Sequence, residues 1–143
     1  MTEREISEFM NKLSKLMIVS FVIWMVIIAY QLILGIISLM VGYGFFTLVL
    51  MGWNIVGCIR YFKNINIIKS YRTKADAANC IAYFNAQIVP CWIFMFVNLI
   101  FGGCLGFVGN LYDLIIAYYV KSKEGELLMP VSDNYVQDVD FQQ

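Results

Sequence analysis

Residues Leu16–Ile59 read LMIVSFVIWMVIIAYQLILGIISLMVGYGFFTLVLMGWNIVGCI, 44 residues without one Asp, Glu, Lys, Arg or His. A single straight helix of that length would be ~66 Å long, against a hydrocarbon core of ~30 Å. The stretch must double back, and at Gly42-Tyr43-Gly44 two glycines flank a single residue. Two membrane-spanning helices joined by a very short turn follow from this, and they make the chain an integral membrane protein.

Composition agrees. Hydrophobic residues make up 61% of the chain and charged ones 14%, where soluble domains carry about 25% charge. With 143 residues there is room for one membrane domain and no second soluble one. A formal net charge of zero argues against nucleic acid as a partner, because such binders carry a basic face. The chain has no histidine, which removes the commonest metal ligand, the usual haem ligand and the usual general base. No catalytic motif stands out, and neither an enzyme nor a cofactor is expected. The apolar run from Leu16 to Val41 is far longer than the core of a cleavable signal peptide, so the first helix is expected to stay in the mature protein.

Outward from the opening stretch, the pattern predicts an all-α domain of four transmembrane helices arranged as two hairpins. The spans are about 16–41, 45–62, 81–101 and 104–120, preceded by an N-terminal segment 1–15. A basic connector covers 63–79 and an acidic tail 121–143. All ten basic residues fall at one end of these spans: Arg4, Lys12 and Lys15; Arg60, Lys63, Lys69, Arg72 and Lys74; Lys121 and Lys123. The positive-inside rule makes that end cytoplasmic, with both termini inside a plasma or cytoplasmic membrane. An alternative has three spans, with a helix from Pro90 through Gly109 and residues 110–120 in the interface.

Asp113 is the one acidic residue inside a proposed span, near mid-depth of the fourth. Such residues are costly and mark proton or ion paths, or serve as interhelical glue. Asn54 is expected at the same depth and within reach of Asp113. The third span carries Asn85, Gln87 and Asn98 around Pro90, suited either to a wet lining or to glue. Gly103, Gly106 and Gly109 form one ridge of the fourth helix, and Ser38 and Gly42 form a small-xxx-small pair in the first. Both are expected to pack helices closely. Arg60, Lys63, Lys69, Arg72 and Lys74 form a candidate basic patch for anionic lipid. Cys58, Cys80, Cys91 and Cys104 show no disulfide or metal spacing.

The function expected from these features is non-enzymatic. The chain reads as a scaffold, accessory or effector subunit that assembles with copies of itself or with a membrane protein partner. The alternative is a small oligomeric channel or a proton- or cation-coupled transporter built on Asp113.

Overall fold

The computed structural model describes residues 1–42, 44–101 and 103–128. They form α1 (Glu3–Ser38), a 3-10 turn (Leu39–Val41), α2 (Gly44–Ser70), α3 (Lys74–Phe101), α4 (Gly103–Ser122) and the short α5 (Glu124–Leu128), with no strand among them. α1 packs along α2 and α3 along α4, giving two hairpins. Contact between α1 and α4 joins the hairpins, while α2 and α3 touch over a much shorter length. α1, α2 and α3, of 36, 27 and 28 residues, are long and apolar enough to cross a membrane. The chain is consistent with a multi-pass membrane protein.

The direction of amphipathicity supports this more strongly than length does. One stripe of α1 is buried from end to end, and the first part of it, Ile6, Phe9, Met10 and Leu13, is apolar. Around that part Arg4, Glu8, Lys12 and Lys15 are exposed, the polarity of a helix in water. Beyond Met17 the sense reverses. The stripe continues through Ser20, Trp24, Ile27, Gln31 and Gly35, whereas Val22, Val26, Ile33 and Ile37 face outward. α2 reverses in the same way: Thr47 and Asn54 are buried beneath exposed Phe46, Val49 and Val56, but Ile65 and Ile68 are buried among exposed Lys63 and Lys69. Large apolar groups on the outside of a folded chain are stable only against an apolar medium.

Helices at the basic end therefore run past the apolar zone. Ile6, Met10 and Leu13 of α1, Ile65 and Ile68 of α2, Ala77 and Ile81 of α3, Val120 of α4 and Leu127 of α5 share one core there. This corrects two expectations. Residues 1–15 are not a separate segment but the first turns of α1, capped by Thr2 and Glu5 in a reciprocal capping box. The connector expected over 63–79 shrinks to Tyr71–Thr73, because Ile65 and Ile68 have a core to bury in. Nor does one helix run from Pro90 through Gly109: α3 ends at Phe101 and α4 begins at Gly103. Tyr43, Gly102 and the acidic tail beyond Leu128 lie outside the described residues.

The α2–α3 turn is held by its own chemistry. Arg72 donates from Nη1 to the carbonyls of Lys69 and Tyr71, at 2.8 and 2.6 Å, closing the end of α2. The Asp76 carboxylate accepts from the backbone N–H groups of Arg72 and Thr73, which hold it below the ordinary carboxylate range, and Thr73 Oγ1 accepts from Asp76 N–H. A depressed native pKa contributes stability above the unfolded value of about 3.9 and loses it as pH falls through the native one. Asp76→Ala should lower hydrogen-exchange protection in the first turn of α3 at neutral pH, and strong acid should do the same to the wild type. Unchanged protection in the variant would show that this cap holds nothing.

Candidate functional site

Polar side chains deep in the bundle need partners there, since the surrounding medium offers none. Two clusters result. In the first, Gln31 of α1 donates from Nε2 to Asn98 Oδ1 at 3.0 Å. Asn54 of α2 donates from Nδ2 to Gln31 Oε1 at 2.9 Å and to Asn98 Oδ1 at 3.2 Å. Asn98 of α3 turns its own amide to the Phe94 carbonyl at 3.0 Å. Gly106 admits this arrangement, because a Cβ there would lie 2.8 Å from Asn98 Cβ and Oδ1. Asn110, one turn on, donates to the Gly106 carbonyl at 3.0 Å.

Interhelical hydrogen bonds in membranes average ~0.6 kcal/mol and reach about 1.7. Asn98→Ala removes the shared acceptor and leaves Gln31 and Asn54 with each other alone. It should cost about 2 kcal/mol in a denaturation series in detergent. An unchanged midpoint would mean that the cluster holds nothing together.

The second cluster is Asp113. Ser20 Oγ donates to its Oδ1, and Trp24 Nε1 donates to its Oδ2 at 2.7 Å. Ser20 and Trp24 are one helical turn apart on α1, so both reach the same carboxylate. They sit level with it because α4 fits closely there: a Cβ on Gly109 would meet the Ile27 side chain and the Trp24 ring. That fit also sets the depth. Asp113 is level with Ser20 and Trp24, roughly 5–10 Å inside the polarity change at Met17 and nearer the basic end than mid-span. Among the described residues no Lys or Arg forms an ion pair with it; the pairs are Arg4–Glu8 and Lys123–Glu126, both at the surface.

Asp113 also faces open space. A cleft of about 470 Å³ lies between α2 and α3, where those helices diverge, and reaches Trp24 and Asp113 at its floor. Asn54, Asn64, Gln87 and Asn110 line it together with the rings of Trp53, Tyr61, Tyr83 and Phe94, and Arg60 stands among its lining residues. Trp53 stacks on Phe94 across the cleft with ring centroids 5.9 Å apart. The Tyr61 hydroxyl is buried beside Ser20 and Asp113, just outside the geometry of a direct hydrogen bond. It lines both the cleft and a second pocket of about 50 Å³ that Tyr83, Gln87 and Asp113 also border.

The residues singled out from sequence divide accordingly. Asp113, Asn54 and Gln87 line one cleft, although the hydrogen bonds of Asn54 go to Gln31 and Asn98 rather than to Asp113. Asn98 belongs to the amide cluster, and Asn85 has a buried, unpartnered Oδ1 away from the cleft. Gly106 and Gly109 are close-approach positions, against α3 and α1 respectively, and Gly103 opens α4. Within the protomer, Ser38 and Gly42 do not pack helices together. Gly42 follows the 3-10 turn at a φ of 77° with open space around it, and the tight crossing of α1 and α2 falls at Gly35 and Gly44. Arg72 caps α2, Lys74 begins α3, and Lys63 and Lys69 are exposed on α2.

Ser20, Trp24, Gln31, Tyr61 and Asn110 are site residues that sequence reasoning passed over. A signal existed for two of them. Ser20 and Gln31 are the polar aliphatic side chains of the first 22 residues of the opening stretch, and a separation of eleven residues, about three helical turns, puts them on one face. No family model, no curated protein and no solved structure matches the chain.

Proposed function

We propose that this chain is a non-enzymatic membrane protein with four spans and both termini on the cytoplasmic side. Its working part is the Asp113 cleft, used as in a small channel or a proton- or cation-coupled transporter. The observation that carries the reading is an acid with no basic partner at the floor of an open cleft inside the apolar zone. Intramembrane acids that border a cavity are functional candidates by default. The other reading, a scaffold or accessory subunit assembled through the glycine ridge, has less support. Gly106 and Gly109 are already covered within one protomer.

The fourth span rests on α4 obeying the inverted rule of α1 and α2. Leu105, Val108, Leu111 and Ile115 face outward while Gly106, Gly109 and Asn110 are buried. Cys104 supplies a native probe, because it is exposed at the start of α4 while Cys58, Cys80 and Cys91 are buried. A membrane-impermeant maleimide should label Cys104 on intact cells. In a Cys104→Ser background, Lys123→Cys should react only after permeabilisation. Equal labelling of both positions from outside would mean that α4 does not cross. The function itself is tested by ion flux in proteoliposomes, wild type against Asp113→Asn.

A further inference from the structure

The cleft opens sideways. Trp53, Gly57 and Arg60 on its α2 edge are exposed on the face that elsewhere presents Val49 and Val56 outward. Gly57 adds no side chain to close it, and a Cβ there would meet nothing within 4 Å. A ligand can therefore arrive from within the bilayer. At the floor it meets the charge of Asp113, which Ser20 and Trp24 solvate but do not neutralise. Trp24, Tyr61 and Tyr83 border that charge, and Trp53 lines the same cleft farther out; aromatic faces attract cations, best when desolvated. The Tyr61 hydroxyl stands beside the same carboxylate.

Three ligand classes compete for such a site. A bare divalent ion wants six or more oxygen ligands, and the floor offers one carboxylate, the Gln87 amide and two tyrosine hydroxyls. Nor do the described residues hold a metal-ligating cluster. An anionic amphiphile would bring its charge against Asp113. An organic ammonium satisfies carboxylate and rings together, and ~470 Å³ falls in the range of small-molecule pockets.

We propose that the cleft between α2 and α3 binds an ammonium-bearing amphiphile entering from the lipid, with its cationic head at Asp113 and its apolar body between the two helices. This rests on the reading above that the Asp113 cleft is the working part of the protein. Arg60, on the exposed edge, favours a body that also carries an acidic group, as an aminophospholipid does, over a simple lipophilic amine.

Trp24 and Trp53 both line the cleft, so intrinsic fluorescence reads occupancy. Full-length protein in an uncharged maltoside detergent is titrated with dodecyltrimethylammonium, dodecyl sulfate, phosphatidylethanolamine and phosphatidylglycerol. The ammonium should give a saturable change that dodecyl sulfate does not. Asp113→Asn should weaken it roughly tenfold or more, and Trp53→Ala about threefold. Trp53 is an exposed position, so its variant keeps the test decisive if Asp113→Asn fails to fold. Binding of phosphatidylethanolamine that Arg60→Gln weakens, with dodecyltrimethylammonium unaffected, identifies the aminophospholipid as the source. Binding of dodecyltrimethylammonium without phosphatidylethanolamine identifies a lipophilic amine. Equal binding of dodecyl sulfate or phosphatidylglycerol, or ammonium binding unchanged in the Asp113 and Trp53 variants, overturns the proposal. Asp113-dependent flux without ammonium binding overturns it too, and leaves the role of the cleft standing.

Discussion

Gly44→Ala should abolish or nearly abolish the folded protein. A Cβ at Gly44 would overlap the carbonyl oxygen of Gly35 and the backbone nitrogen of Leu39, and would lie 2.7 Å from the carbonyl carbon of Ser38. These are backbone atoms of the partner helix, so no rotamer change relieves the conflict and the α1–α2 hairpin must open at its tip. Helix propensity alone predicts the opposite sign, since alanine is better than glycine by about 1 kcal/mol inside a helix. Overpacking against an unyielding neighbour costs ~3 kcal/mol or more, and it wins. Gly52→Ala supplies the control. A Cβ there meets nothing within 4 Å, so that variant should be neutral or gain up to about 1 kcal/mol. Thermal unfolding and folded yield in detergent separate the two. Equal behaviour of the two variants would mean that the hairpin does not close at Gly44.

The same comparison shows how much of the molecule its sequence discloses. The charge-free stretch and the paired glycines disclose the first hairpin, because membrane thickness bounds helix length and a doubled-back chain needs a turn. The gathering of every basic residue at one end discloses which ends of the helices lie together. The extension of the bundle beyond the apolar zone is legible only in hindsight. Ile6, Phe9, Met10, Leu13 and Met17 continue the stripe of α1 at helical spacing, but interspersed charges mark the same residues as a solvated segment. Ile65 and Ile68 are similar, since two isoleucines in a basic connector say nothing until other helices offer them a core.

Within the site, Asp113 is legible because an acid in an apolar run is costly wherever it points. Its partners are not. Ser20 and Trp24 reach it only because Gly109 lets α4 settle against Trp24 and Ile27, and that offset between helices is a tertiary fact. The same offset takes Asn54 away from Asp113 and gives it to Gln31 and Asn98. Equal depth counted along two helices does not bring side chains together when the helices are displaced. The cleft itself follows from the short contact between α2 and α3, which no local pattern encodes.

The charge at position 113 is the most direct point of attack on this account. Asp113→Asn keeps a side chain of nearly the same shape, and its amide oxygen can still accept from Trp24 or Ser20. Folding should survive and can even improve, since a buried carboxylate without a basic partner is expensive. What the variant loses is the charge facing the cleft. Wild type and variant are reconstituted into liposomes, and proton and cation flux is measured beside thermal stability in the same preparations. The account predicts flux through the wild type, its loss in Asp113→Asn, and stability equal to or above the wild type. Preserved stability with no flux in either protein, or equal flux in both, would contradict it and return Asp113 to a packing role.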